Sequence, residues 1–328
     1  MVTGLITLKA TAIAHPIQGL IKYHGLKMPK QRIPYHDSIS VCIEALSTTT
    51  TVETSNALEE NEIMINGKEP NEADKQRIEI VLNELKTIAR FCGKFKVMSE
   101  NNLKTGKGLG FSASGFAALG LAAYKALDLK FAMSQLSEIV RLGAGSATRS
   151  LAGKFAIWYA DKEGRSYAEQ LKTLVDIDFS MIIVPIHSNT KTDEAHAEVL
   201  SSPLFKARLK NIDVLIEKMK IGIMHGDTAT IGRLAEEDTL SLHAITMTGK
   251  SHMILWEPDT VRIVKEVIRM REEGIPSWYS MDTGPSVFVN TYKKYSTIVA
   301  QRLHEIGFRN AIVSGVGEQA DMTTQHLC

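Results

Sequence analysis

The stretch KTGKGLGFSASGFAALG, residues Lys104–Gly120, decides the fold that the rest of the sequence predicts. Alternating glycines let backbone N–H groups converge, and the following run of Ala, Gly and Ser is typical of a buried helix. Ser112 and Ser114 stand where this helix begins, so amides, hydroxyls and the helix dipole meet at one point. The pattern predicts a phosphate-binding loop. A purely structural glycine turn is the alternative, because the G-K-[ST] of a P-loop is absent.

The segments around this loop predict a chain of mixed sheet and helix. Upstream, β-branched and alternating stretches predict strands, and a helix follows Asn71, which can act as its N-cap. Downstream, a strongly apolar strand lies near Phe179–Ile186. Beyond that strand, helical periodicity covers the regions around 200–220, 228–247 and 258–273.

The length of the chain indicates how many lobes it forms, and its net charge indicates which kinds of partner it can attract. At 328 residues the chain exceeds the usual size of one core, so we expect an N-terminal lobe, 1–178, with the phosphate loop, and a C-terminal lobe, 179–328. With 38 basic and 37 acidic residues, the formal charge of +1 gives no strong field towards nucleic acid or membranes. We therefore predict neither partner, and expect any anion to be bound by local groups.

Cysteine and histidine spacing bears on redox compartment and metal binding. The three cysteines are widely spaced, without a CxxC or a Cys/His cluster, which argues against a disulfide framework and a zinc site. No histidine pair has H-x-x-x-H spacing, so no metal site is predicted. The N-terminus lacks the continuous apolar core of a signal peptide. These features predict a soluble, cytoplasmic protein.

Two further segments carry candidate binding and catalytic residues. In GAGSATRS, Ser146 and Arg149 lie at a glycine-rich turn, where an arginine can bind a carboxylate or phosphate through two parallel hydrogen bonds. In MDTGPS, Asp282 stands at a strand-to-turn junction, a common place for a reactive carboxylate. The alternatives are structural, because an arginine can brace its own turn and Asp before Thr-Gly is an ordinary turn former.

The N-terminal region concentrates polar side chains that suit an anion site. The segments AHPIQGLIKYHG and RIPYHDSISV contain His15, Lys22, Tyr23, His24, Tyr35, His36, Asp37 and Ser38. A single histidine is usually structural or solvated. Three histidines with a lysine and two tyrosines in one short region favour a binding site.

Taken in order, these motifs resemble those of the mevalonate-pathway decarboxylases of the GHMP kinase superfamily. The family patterns A-P-x-N-I-A-x-x-K-Y-W-G-K, L-P-x-N-x-S-I-S and N-x-P-T-x-x-G-L-A-S-S-A are matched by AHPIQGLIKYHGL, IPYHDSISV and NLKTGKGLGFSA. The patterns G-S-G-S-A-x-R-S and F-D-A-G-P-N are matched by GAGSATRS and MDTGPS, and DTLSLHA is similar to an S-x-x-F-H-A helix. The order across nearly the whole chain is more specific than any one motif.

The resemblance implies an α+β GHMP kinase fold, with a ribosomal-S5-like N-terminal lobe and a ferredoxin-like C-terminal lobe around a deep cleft. It implies that Asp282 is the catalytic aspartate and Lys22 its lysine neighbour. Tyr23 would line the substrate site, while Ser146 and Arg149 would bind the substrate, the arginine at its carboxylate end. Because relatives are often homodimers, a homodimer is one expected assembly.

Several positions depart from the family pattern. Lys104 replaces the loop proline, and Phe111 replaces the first of the paired serines, so a bulky ring stands where a phosphate-facing hydroxyl is expected. These changes should impair a site for the ATP triphosphate. Ile17 replaces an asparagine, His24 a tryptophan and Leu26 a lysine. The loss of that lysine argues against a 5-diphosphate, because fewer cations remain to neutralise it.

The variant motifs look like the archaeal branch, which includes ATP-dependent phosphomevalonate decarboxylase and ATP-independent mevalonate 3,5-bisphosphate decarboxylase. The altered loop favours the second, so we predict loss of phosphate and carbon dioxide to give isopentenyl phosphate, without a cofactor. A leaving phosphate and a growing positive charge at the tertiary carbon must then be stabilised. We expect the loop amides and Ser112, with Lys104, Lys107 or Lys22, to receive the 3-phosphate.

This hypothesis assigns further roles near the substrate. Asp282 has no 3-hydroxyl to deprotonate, so it would offset the charge at the tertiary carbon or press on the substrate carboxylate as a like charge. His15, His24 and His36 are candidates for the 5-phosphate, with stronger binding when protonated in a moderately acidic cytoplasm.

Three alternatives stay open. An ATP-dependent phosphomevalonate or diphosphomevalonate decarboxylase would use ATP and Mg²⁺, with Phe111 only reshaping the nucleotide site. A GHMP small-molecule kinase would use Asp282 as its base and would not decarboxylate. A catalytically inactive member would serve as a ligand-binding protein, although the joint presence of Lys22, Arg149 and Asp282 argues against it.

Overall fold

The computed structural model describes residues 8–103, 109–187 and 192–327. Strands dominate the first half of the chain. They are β1 Lys9–Ala14, β2 Ile17–Ile21, β3 Leu26–Met28, β4 Ile33–Pro34, β5 Ser38–Cys42, β6 Thr48–Ser55, β7 Glu62–Ile65, β8 Lys94–Asn101, β9 Phe155–Trp158 and β10 Ala168–Gln170. The helices of this half are α1 Glu72–Ala89, α2 Phe111–Ala126, α3 Met133–Gly143 and α4 Ala147–Ala152.

Helices dominate the second half. They are α5 Thr192–Glu198, α6 Phe205–Met224, α7 Thr228–Met247, α8 Pro258–Glu272 and α9 Ser296–Glu305. The strands are β11 Ser180–Val184, β12 Ser277–Ser280, β13 Val287–Thr291, β14 Ile312–Ser314 and β15 Asp321–Thr323. Three short 3₁₀ helices in the described residues are Pro29–Gln31, Val199–Ser201 and Lys293–Tyr295.

The strands form separate sheets. One has the order β15-β1-β6-β8-β7, a second β10-β9-β5-β2 and a third β12-β13-β11-β14, while β3 pairs with β4. The pairing of β7 with β8 is parallel, whereas β1 pairs antiparallel with both β6 and β15. Several sheets with helices packed on them confirm the predicted α+β class.

The chain crosses between the two predicted lobes more than once. The predicted boundary between 178 and 179 falls in the connection from β10 to β11. After β14 the chain returns to the first sheet, where Thr323 of β15 pairs with Thr11 of β1. The last strand therefore belongs to the N-terminal sheet, although it lies in the segment expected to form the C-terminal lobe.

The small-residue helix of the opening motif is α2, and it is buried as its composition predicts. It packs against β1, β6, α3 and α4. At Gly120, an added Cβ would lie 2.2 Å from Cγ1 of Val140 on α3. A side chain there would collide with α3, so this glycine permits the close approach of the two helices.

An apolar core, separate from the residues packed around α2, joins the two halves of the chain. Residues of β2, β5 and β9 pack there with residues of β11, α6 and α7. Leu109 and Phe111, at the start of α2, pack against the same core. This shared core fixes β2 against α7 and the start of α2.

Within the described residues, no helix combines the length and the apolar character needed to cross a membrane.

Candidate active site

The polar centre of the molecule forms where β2 ends against α7. Helix α7 begins after Asp227, whose side chain accepts the N–H of Thr230. Residues three and four apart share one face of a helix. On the buried face of α7 that spacing places Ala235, Asp238, Thr239, Leu242 and His243. The helix therefore presents polar side chains to the end of β2.

Lys22 lies directly after β2 and is held by α7. Its Nζ donates to Oγ1 of Thr239 at 2.9 Å and to the carbonyl of Ala235 at 3.3 Å. The carboxylate of Asp238 lies 3.6 Å from the same Nζ. Burial lowers the pKa of Lys22, and the negative charges of Asp238 and Asp282 act in the opposite direction.

Asp238 links Lys22 to α6. One of its oxygens accepts Nη2 of Arg208 at 2.7 Å, and the other accepts the backbone N–H of Lys22 at 2.9 Å. Nη2 of Arg208 also donates to the carbonyl of Lys22 at 2.8 Å. Asp238 is 0% exposed, so this is a fully desolvated network of charged groups.

Asp282 follows β12 and faces β2. Its Oδ1 accepts the backbone N–H of Gly19 at 2.9 Å. Burial raises the pKa of Asp282, while the charge of Lys22, the Gly19 N–H and the charge of Arg149 act to lower it. Two cations from different elements, Lys22 and Arg149, thus act on this carboxylate.

Gly19 is required for this arrangement, and Gly19→Ala tests it. An added Cβ would lie 2.7 Å from Oδ1 of Asp282 and 2.7 Å from Cγ of Lys22, closer than atoms pack. We expect kcat to fall about 10²-fold, because small displacements of reacting groups have effects of that size. Steady-state kinetics and a thermal melt check this. An unchanged kcat would show that Asp282 and Lys22 need not hold these positions.

Arg149 is buried beneath aromatic rings. Its Cζ lies 5.4 Å from the ring centre of Tyr23 and 5.7 Å from that of Trp158. Among the described residues, Nε and Nη1 of this guanidinium have no hydrogen-bond partner. Burial lowers the pKa of Arg149, opposed by Tyr23, Asp282 and Cys42. A buried arginine with open donors is suited to binding an anion.

Tyr23 and Ser146 lie around this arginine. The ring of Tyr23 packs edge-on against Trp158 at 4.8 Å and stacks on His196 at 5.0 Å. Ser146 immediately precedes α4, and its carbonyl accepts the N–H of Arg149 at 3.2 Å. The structure thus brings Lys22, Tyr23, Ser146, Arg149 and Asp282 into one region; their catalytic and binding roles stay predictions.

A group of buried histidines adjoins Lys22. His24 contacts Oγ1 of Thr283 at 3.1 Å and lies 5.0 Å from the ring of His196. The Nδ1 of His24 and the Nε2 of His36 have no hydrogen-bond partner among the described residues. No set of three or more His, Cys, Asp or Glu in that part of the chain is arranged to hold a metal.

These histidines are not expected to be charged at moderately acidic pH. Burial lowers the pKa of His24 well below its usual value, of His36 to about 4 and of His243 to about 3. For His24 and His36, the expectation that protonation strengthens phosphate binding therefore does not suit the free protein, because burial opposes the charged form. Neutral imidazoles can still donate one N–H each.

The other predicted binding residues lie apart from this group. His15 makes a 2.7 Å hydrogen bond through Nδ1 to the carbonyl of Leu46. Ser112 is exposed in the first turn of α2. Ser114 points inward instead, with Oγ 2.6 Å from Oγ1 of Thr48. Lys104 and Lys107 lie outside the described residues.

Asp238, Arg208, His196 and Trp158 are parts of this site that were not predicted from the sequence. Their partners are distant in the chain, and only the fold shows that they meet. For Asp238 a signal was present, because it opens the DTLSLHA motif and shares a helical face with apolar residues. The same motif contains His243, which was given no role.

Comparison with known proteins identifies the family. Residues 14–168 match the Diphosphomevalonate decarboxylase-like N-terminal domain, and residues 187–324 match the Mevalonate 5-diphosphate decarboxylase C-terminal domain. The chain is 38% identical to the phosphomevalonate decarboxylase of Haloferax volcanii, over 96% of this chain and 98% of the relative. It is 30% identical to the diphosphomevalonate decarboxylase of Schizosaccharomyces pombe, over 88% and 79% of the two chains.

Solved structures agree with these matches. Mevalonate diphosphate decarboxylase from Staphylococcus aureus superimposes with a TM-score of 0.92 at 28% identity, covering 97% of this chain and 98% of that one. The enzyme from Enterococcus faecalis gives a TM-score of 0.89 at 28% identity, covering 97% and 100%. The predicted GHMP kinase fold is confirmed, and the chain belongs to the mevalonate-pathway decarboxylases of the GHMP kinase superfamily.

Proposed function

We propose that the protein converts mevalonate 3,5-bisphosphate to isopentenyl phosphate, carbon dioxide and phosphate without ATP. The bond between C3 and the phosphate oxygen breaks, and its electron pair leaves with the phosphate. The electrons of the bond between C2 and the carboxyl carbon form the new double bond, and the carboxylate departs as carbon dioxide. Atoms and electrons balance without a further reactant, because the substrate already carries its leaving group.

The observation that carries the proposal is the packing of Phe111. This residue opens α2 directly after Gly110, whose φ of 73° is left-handed. Its ring is half-buried against the core that both halves of the chain share. A hydroxyl at this position would have been available to a nucleotide phosphate, whereas a packed ring offers no hydrogen bond. The start of α2 is therefore poorly suited to ATP.

The charged centre suits a doubly phosphorylated acid. Arg149 has open donors for the substrate carboxylate, and Lys22 is a buried cation close to Asp282. Leaving a buried polar group unpaired costs about 1–3 kcal/mol, which a bound anion would recover. Asp282, with no hydroxyl to deprotonate, would offset the positive charge at C3 or favour carboxylate loss by repulsion.

The proposed 5-phosphate subsite lies at the histidines. His24 and His36 are buried beside Arg208 and offer unpartnered ring nitrogens as neutral hydrogen-bonding groups. His15 and Ser112 remain candidates for contacts with a substrate phosphate. Leu26 in β3 supplies no charge for a second phosphate. A monophosphate at C5 is therefore the better match.

The second candidate is an ATP-dependent phosphomevalonate decarboxylase, with ATP and Mg²⁺ as cofactors. It is favoured by the 38% identity with the Haloferax volcanii relative of that name. It requires the same Lys22, Arg149 and Asp282, and differs in how the 3-phosphate is supplied. Homodimer formation and a cytoplasmic location stay predictions under either function.

A substrate comparison distinguishes the two functions. We expect mevalonate 3,5-bisphosphate to release equal amounts of carbon dioxide and phosphate with or without ATP and Mg²⁺. Mevalonate 5-phosphate and mevalonate 5-diphosphate should release no carbon dioxide even with ATP, since the start of α2 is poorly suited to the nucleotide. Measurement of both products decides. Release of carbon dioxide from the 5-phosphate only when ATP is present would overturn the proposal, and phosphorylation without carbon dioxide would indicate a kinase.

A further inference from the structure

The ammonium of Lys22 is directed by its neighbours. Two of its three N–H groups are accounted for, by Oγ1 of Thr239 at 2.9 Å and by the carbonyl of Ala235 at 3.3 Å. Oγ1 of Thr239 donates in turn to the same carbonyl at 2.7 Å, which fixes its orientation. The third N–H is therefore left for Asp238, whose carboxylate lies 3.6 Å from Nζ, or for the substrate.

The titratable groups around Lys22 come from several elements. Helix α7 supplies Asp238 and His243, α6 supplies Arg208, and the segment after β12 supplies Asp282. Asp238 has the tighter attachment to the lysine residue, because it accepts the Lys22 backbone N–H at 2.9 Å and faces its Nζ at 3.6 Å. Asp282 is instead attached to the Gly19 N–H.

Arg208 keeps Asp238 in this position. It binds the opposite carboxylate oxygen at 2.7 Å, the Lys22 carbonyl at 2.8 Å and Oγ of Ser241 at 2.9 Å. The arginine therefore clamps the aspartate and the lysine backbone together. A fully buried lysine and arginine would otherwise repel each other with little solvent screening.

We propose that Asp238, clamped by Arg208, is the counter-ion and positioning residue of Lys22, which leaves the Asp282 carboxylate available to the substrate. This inference rests on the proposed active site and deepens it. Asp238 does not touch the reacting atoms. It favours the charged form of Lys22 and fixes the direction of its ammonium group. One buried cation is then available to the departing phosphate, and the Asp282 carboxylate is not needed as the counter-ion of that cation.

Asp238→Asn tests the inference, with Asp259→Asn as the matched control on the surface of α8. The substrate is whichever phosphorylated mevalonate the wild-type enzyme converts, so an ATP requirement would defeat the proposed function without affecting this comparison. We expect kcat to fall about 10- to 100-fold with a smaller change in KM. Loss of the negative charge should move the alkaline limb of kcat/KM to lower pH by about one to three units.

A merely structural role gives a different result. Asp238→Asn would then lower the melting temperature but leave the alkaline limb and kcat per folded molecule unchanged, which would overturn the inference. If the single variant does not fold, the charge-balanced pair Asp238→Asn with Arg208→Gln replaces it. This pair should shift the alkaline limb in the same direction by a smaller amount, because the Arg208 charge opposes that of Asp238. No shift in the folded pair would also overturn the inference.

Discussion

Asp282→Asn is expected to lower kcat about 10²- to 10³-fold while the protein stays folded. The amide keeps an oxygen that can accept the Gly19 N–H, now 2.9 Å from Oδ1, so the backbone contact survives. What is lost is the negative charge on which Lys22 and Arg149 both act. That charge is required whether Asp282 offsets the positive charge at C3 or repels the substrate carboxylate.

The pH dependence gives this prediction a second readout. Because burial raises the pKa of Asp282 above the value of 3.8 that is usual for an aspartate, its carboxylate should become protonated at a higher pH than an exposed one. Wild-type activity should therefore fall on the acid side as pH drops through that raised pKa, and this limb should disappear in Asp282→Asn. Asp259→Asn, on the surface, serves as the control. Full activity of a folded Asp282→Asn protein would reject both proposed roles.

The sequence predicted those parts of the fold that depend on local pattern. Helices expected around 200–220, 228–247 and 258–273 appear as α6, α7 and α8, with bounds close to those regions. Ordered motifs identified the family, and the fold brings Lys22, Tyr23, Arg149 and Asp282 together. Periodicity and motif order can be read from the sequence alone, because neither depends on which distant residues come into contact.

What the sequence did not predict depends on long-range packing and burial. Asp238 and Arg208 are 30 residues apart and lie 216 and 186 residues from Lys22 in the chain, a separation that no local pattern bridges. Phosphate binding by His24 and His36 was expected to strengthen on protonation, whereas their burial lowers their pKa and opposes the protonated form. The pairing of β15 with β1 likewise could not be predicted, because local turn motifs do not indicate that the end of the chain comes back to the N-terminal sheet.

The charged groups act together in a dry environment. Lys22, Arg208 and Asp238 are 4%, 5% and 0% exposed, and Arg149 is 2% exposed. Water screens these charges little, so each one strongly affects the others. The Asp238 network offsets part of the cationic charge near Lys22, whereas Nε and Nη1 of Arg149 have no hydrogen-bond partner among the described residues. A substrate anion would therefore bind more strongly at Arg149 than at a fully paired arginine.

Arg149→Lys is expected to lower kcat/KM about 10²-fold or more, although the positive charge is kept. A hydrogen bond to a charged group contributes about 1.5–3 kcal/mol, and the substitution removes the planar fork that binds a carboxylate through two such bonds. It also removes the flat guanidinium packed against the rings of Tyr23 and Trp158, whose centres lie 5.4 and 5.7 Å from its Cζ. A lysine cannot fill that space.

The matched control is Arg233→Lys, at an exposed site on α7 whose side chain is 61% accessible. Both variants are measured for kcat, KM and melting temperature with the same substrate. If Arg149 binds the carboxylate, KM should rise and kcat should fall as well, because a loosely held carboxylate no longer lies in line with the breaking C3–O bond. An unchanged KM and kcat in Arg149→Lys would show that the substrate carboxylate binds at another position. A lysine ammonium cannot form the two parallel hydrogen bonds that a guanidinium makes with a carboxylate.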